Sequence, residues 1–153
     1  MSTFLGWPIV SMPHAQAQAW IAWLMGTRGI KGVFSFGDPL AQAPQGTGAG
    51  SIAVSGGGQT GYSLLVTGGT GGGCLLPGDW MQIGLRLYRN LSVYNGGSQT
   101  LSIFPQVRES PLDKTAVAVL NTTGMFRLKA NKRSWSVTTA RVYGIQFDIE
   151  EAL

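Results

Sequence analysis

His14 and Cys74 are the only histidine and the only cysteine among 153 residues, and that scarcity limits the chemistry open to the chain. A Ser-His-Asp triad or a Cys-His pair would have to recruit His14. A zinc site of Cys/His type would need carboxylates to complete it. His14 falls in the first turn of an expected helix and reads as a surface or interface residue. The acids are Asp38, Asp79, Glu109, Asp113, Asp148, Glu150 and Glu151. Two carboxylates suffice for a glycosidase, so a carboxylate enzyme is one alternative reading. Yet Asp38 and Asp79 stand in Gly/Pro turns, where Asp hydrogen-bonds the backbone, and Glu150-Glu151 reads as a solvated end. The chain is expected not to be an enzyme, with no catalytic residue, metal site or cofactor.

The glycine clusters raise phosphate binding. Gly46-Thr47-Gly48-Ala49-Gly50 contains no G-K-[ST], and Gly68 to Gly73 leads into Cys74-Leu75 instead of a helix. Gly48 to Ala53 matches GxGxxA, but neither a preceding strand nor a following helix accompanies it, so nucleotide binding is rejected. Basic residues offer the last chemistry. Arg127, Lys129, Lys132, Arg133 and Arg141 lie among Phe126, Trp135 and Tyr143, the mixture by which single-strand binders hold nucleic acid. Trp135 and Tyr143 share one strand face, however, which reads more simply as core aromatics beside a solvated loop. A single-stranded nucleic-acid-binding β-barrel is the second alternative.

The elements around these residues point to a β-rich fold. Hydrophobic residues make up 44% and charged residues 12%, the latter about half the usual share. The net charge of +4 reflects few acids more than many bases. With one cysteine no intrachain disulfide can form, no secretory signal is read at the start, and the apolar run from Ala19 to Met25 is too short to span a bilayer. A cytosolic site of synthesis is expected. One helix is predicted, capped by Ser11, with Pro13 in its first turn and Gly26 at its end. Its Trp20, Trp23 and Leu24 form a bulky stripe expected to pack on a sheet or a neighbour.

Strands are expected at Ile30 to Phe36, Ser51 to Val54, Tyr62 to Thr67, Trp80 to Ile83, Leu85 to Tyr94, Gln99 to Phe104, Ala116 to Leu120 and Met125 to Lys129. Asn95-Gly96 predicts a type I′ hairpin with both residues at positive φ. Pro105 and Pro111 bracket an expected loop. From Trp135 to Ile149 bulky and small residues alternate over a length too great for one strand, so the segment must bend, with Gly144 as a candidate, or reach a neighbour. The whole reads as one domain, 1–153: mainly β, an antiparallel barrel or sandwich with one N-terminal α-helix.

From Pro39 to Gly78 there is no charged side chain. Uncharged strands are poorly guarded against edge-to-edge pairing, and glycine permits close backbone approach. The tract is therefore expected to meet a partner chain. Tyr62 and Leu65, with Trp20 and Trp80, are the expected interface residues.

Three stretches resemble a family of short proteins from the tail modules of long-tailed bacteriophages and prophages of Gram-negative bacteria. They are Met12-Pro13 through Trp20 with Gly29 to Phe34 and Gly37-Asp38-Pro39; Leu76 to Gly84 with Arg86-Leu87-Tyr88-Arg89; and Ile103 to Glu109 with Gly124 to Leu128. The resemblance implies a distal tail protein: a β-barrel or sandwich subunit of a ring, commonly a hexamer, that joins the tail tube to the hub and receptor-binding apparatus. It implies a structural protein in the virion, at the tail tip, assembled in the bacterial host cytoplasm. Its partners would be itself, the tail tube protein and the hub or other tail-tip proteins, with no membrane and no sequence readout of nucleic acid.

Overall fold

The computed structural model describes residues 3–4, 10–132 and 134–152, and these divide into two compact units, one of the described residues up to 35 with those from 125 onward, the other of 36–124.

The central unit is a closed antiparallel barrel. Its strands are β4 (Ile52–Val54), β5 (Gly61–Gly68), β6 (Trp80–Ile83), β7 (Arg86–Asn90), β8 (Gln99–Val107) and β9 (Ala116–Ala118), in the order β4-β5-β8-β7-β6-β9. Closure removes the free edges that an uncharged sheet would expose. Period-two alternation fills the interior, most plainly on β8, where Leu101, Ile103 and Val107 point in while Ser102, Phe104 and Gln106 face out. Leu64, Val66, Met81, Tyr88 and Val117 complete the core with Cys74, Leu75 and Tyr94 from the connecting loop segments.

The uncharged tract is part of this barrel and its wall. Thr47 and Gly48 donate to the carbonyls of Gly73 and Cys74, and Gly69 and Thr70 donate to those of Ser51 and Ala49. At Gly46 an added Cβ would stand 2.4 Å from the Cys74 carbonyl oxygen. Close approach is needed there within the chain itself, a use of glycine that requires no partner.

The Asn95-Gly96 turn departs from expectation. Positive φ falls on Gly96 and Gly97, and Asn95 is not among the positive-φ residues. β7 stops at Asn90, so the connection is a wide loop instead of a two-residue turn. The cause lies in the side chains. The Tyr94 backbone is held by Leu75 in both directions, and Asn95 turns its Oδ1 to the Gly73 N–H at 2.9 Å. The Tyr94 hydroxyl sits between the carbonyls of Gly68, at 2.5 Å, and Gly97, at 2.8 Å. Tyr94→Phe should lower stability by about 0.5–1.5 kcal/mol, since it deletes the hydroxyl's hydrogen bond while the Gly68 carbonyl keeps the Gly97 N–H. Urea unfolding of the purified protein checks this. β8 also runs straight through Pro105 to Val107, where a loop was expected.

The second unit holds β1 (Thr3–Phe4), β2 (Val10–Pro13), α1 (His14–Gly26), β3 (Val33–Phe36), β10 (Gly124–Leu128), β11 (Ser134–Val137), β12 (Val142–Gln146) and β13 (Ile149–Glu151). Two sheets form, β1-β13-β10-β3 and β11-β12-β2. α1 ends at Gly26 as expected, but Pro13, extended at φ −67, holds the N-cap position. Ser11 is instead paired with Gly144 inside the sheet. Ile30 lies in a 3-10 turn, Gly29–Lys31, so that strand begins only at Val33. The long alternating segment folds into β11, β12 and β13. It bends at the turn closed by the bond from Arg141 N–H to the Thr138 carbonyl, with Arg141 at φ 58, and not at Gly144, which lies within β12.

Candidate assembly surface

Two places gather the residues singled out by the sequence. The first is interior to the barrel unit. The Pro77-Gly78 turn brings Asp79 to a 3% exposed position, where its carboxylate accepts three backbone N–H groups: Gln45 at 2.7 Å, Gly46 at 3.2 Å and Leu76 at 2.8 Å. Asp79 therefore fills the backbone-bonding role expected of it. Asn90 reinforces the turn, its amide donating to the Leu76 carbonyl at 3.1 Å and its backbone carbonyl accepting from Gly78 at 2.7 Å. Trp80 donates to Asp38 at 3.4 Å beneath the Arg89 guanidinium, 4.6 Å from the ring. Trp80, one of the expected interface residues, is buried in the chain itself, 7% exposed. Further along, Arg86 pairs with Glu109 at 2.7 Å. Burial pushes the Tyr88 phenol above its ordinary value and the Arg108 guanidinium below its own. Asp38 and Glu109 from two of the motif stretches thus meet the Leu76 to Arg89 stretch in this packing.

The second place is the outer face of α1 in the other unit. Ala17, Ile21 and Leu24, at helical spacing, point inward and are buried. Trp20 and Trp23 stand on the flank, 45% and 37% exposed. The sequence stripe of Trp20, Trp23 and Leu24 therefore splits: only Leu24 is in the core. The two indoles meet edge-on at 5.7 Å between centroids. Trp23 also packs on Phe34 at 5.0 Å and on Phe147 at 5.7 Å, and Trp20 lies 6.2 Å from Phe147. Such tilted and T-shaped pairs hold the rings in fixed attitudes. Exposed Met25, Ile30 and Val33 add apolar surface in the same unit. Phe34 and Phe147 did not stand out in the sequence, because each shares an alternating strand-like run with other aromatics, Phe36 in one and Trp135 and Tyr143 in the other; only the fold sets them beside the helix.

The other expected interface residues divide similarly. Tyr62 is 60% exposed on the barrel, whereas Leu65 is half-buried and its N–H and carbonyl both engage the Gln59 side chain. Trp20 belongs to the other unit, so these residues do not form one cluster within the barrel. Of the aromatics among the bases, Phe126 is buried, Tyr143 is half-buried with its hydroxyl 2.8 Å from His14 Nδ1, and Trp135 is exposed. His14 is exposed, as expected. Among the described residues no three His, Cys, Asp or Glu side chains group as a metal site, and no helix is long and apolar enough to cross a membrane. Compared with known proteins, the chain matches no family model and no curated protein.

Proposed function

We propose that this chain is a structural, non-enzymatic subunit of a phage tail tip, self-assembling into a ring that joins the tail tube to the hub. The observation that carries the assembly reading is the aromatic cluster in which exposed Trp20 and Trp23 pack on half-buried Phe34 and Phe147. Large aromatic rings held in fixed geometry at a surface are the usual anchors of protein interfaces. The hexameric ring, the virion setting and the tube and hub partners come from the resemblance of the three stretches that begin at Met12, Leu76 and Ile103. The closed barrel is compatible with that family's fold.

Mass measurement of the purified protein over a wide concentration range tests the reading. One closed multiple of the 16.2 kDa chain is expected. A monomer at every concentration would overturn it. The barrel wall gives a second handle. Ser63 faces outward opposite Ser102 within the uncharged tract. Ser63→Lys should weaken assembly while leaving the unfolding midpoint unchanged, because a charge opposes burial against a neighbour. Unaltered assembly would remove this strand from the contact.

A further inference from the structure

The positive charge of the chain is unevenly placed. The barrel unit holds Arg86, Arg89, Arg108 and Lys114 against Asp38, Asp79, Glu109 and Asp113, so the formal +4 resides wholly in the other unit. Two of that unit's acids are withdrawn from its surface, Glu150 beside Arg127 at 2.8 Å and Glu151 in a buried position. Asp148 is exposed, and its backbone carbonyl accepts the Lys129 N–H at 3.0 Å.

Four bases converge there. Arg28 precedes and Lys31 ends the 3-10 turn after α1, and Lys129 and Lys132 stand on either side of Asn131. Asn131 Oδ1 accepts the Ile30 N–H at 3.1 Å, tying the two loops together across 101 residues of sequence. All four bases are exposed, and three residues beyond Lys132 the indole of Trp135 is 39% exposed on β11. The sequence shows Lys129 and Lys132, but the partnership with Arg28 and Lys31 exists only in the fold.

We propose that these tied loops, with Trp135, bind single-stranded nucleic acid without regard to sequence, phosphates meeting the four bases and a nucleobase stacking on the indole. Clustered cations with an exposed aromatic are what a single strand requires. An acidic protein surface would use the cations but has less need of the indole. A second copy offers little: its Asp79, Glu150 and Glu151 are buried, Glu109 pairs with Arg86, Asp38 engages Trp80 and Leu40, and Asp113 accepts the Gly56 N–H, which leaves the exposed Asp148 to face four cations. The site lies outside the barrel, which distinguishes it from a nucleic-acid-binding barrel, and it does not depend on ring formation.

Arg28 makes the test clean. It occupies a left-handed conformation, φ 52, just past the helix end, where glycine is preferred. Arg28→Gly therefore relieves the backbone while deleting a cation. The full chain is titrated with a fluorescently labelled thymidylate oligonucleotide at several salt concentrations. Binding should weaken linearly in log–log form, by about 0.7 per phosphate contact. Arg28→Gly should flatten that slope by about 0.7, with an equal or higher melting temperature. Trp135→Ala should weaken binding about 5- to 150-fold and leave the slope in place. No binding at low salt, or binding unchanged when Arg28→Gly, Lys31→Ala, Lys129→Ala and Lys132→Ala are combined, would overturn the proposal. So would equally tight binding of polyglutamate that ignores Trp135→Ala, which would assign the surface to an acidic protein.

Discussion

Asp79→Ala should lower the stability of the protein by about 3–4 kcal/mol, among the largest effects of any single substitution. A hydrogen bond to a charged group contributes roughly 1.5–3 kcal/mol. Asp79 accepts three, from Gln45, Gly46 and Leu76, in a place only 3% exposed. The three are not additive, because the freed Gln45 N–H lies at an exposed residue and can turn to water. The Gly46 and Leu76 segments are less open, and they carry the remaining cost. The same change should loosen the start of the uncharged tract, whose Thr47 and Gly48 bonds to Gly73 and Cys74 depend on Gln45-Gly46 staying in place. Urea unfolding followed by tryptophan emission measures the first effect, and hydrogen exchange at Thr47 and Gly48 the second. A loss below about 1 kcal/mol would mean that Asp79 is not the clamp its geometry describes.

Much of the barrel was legible before its structure. Trp80–Ile83 matched its strand, and the runs around Ser51–Val54, Tyr62–Thr67 and Gln99–Phe104 fell within a residue or a few of theirs. Their signal is a short apolar or alternating run bounded by glycine and turn residues, which needs no knowledge of distant residues. What failed was set by distant residues. Asn95-Gly96 satisfied a local turn rule, but Leu75 and Gly73 claim the backbone and side chain on either side of it. Ser11 satisfied a local capping rule, but pairing with Gly144 takes it into a sheet. Gly144 looked like the place to bend the last segment, yet it lies mid-strand and Arg141 bends the chain. The aromatic cluster was half legible. Trp20 and Trp23 lie on one helix face, but Phe34 and Phe147 reach them only through tertiary packing.

That packing decides how Trp20→Ala and Trp23→Ala should behave. Full burial would give a folding cost of roughly 3–5 kcal/mol. At 45% and 37% exposure much of that area is still in water, so each substitution should cost the isolated subunit only about 1–2 kcal/mol. The larger effect should appear in assembly. Tryptophans at the centre of an interface contribute about 2 kcal/mol or more each, a change of roughly thirtyfold in the association constant. Trp23 should matter more than Trp20, because it alone touches Trp20, Phe34 and Phe147 and so fixes the attitude of the group. Sedimentation across concentration, paired with urea unfolding of the dissociated subunit, separates the two terms. Assembly unchanged in both variants would show that the cluster faces water in the assembled protein. A folding loss approaching 5 kcal/mol would instead show that the indoles serve the subunit's own core.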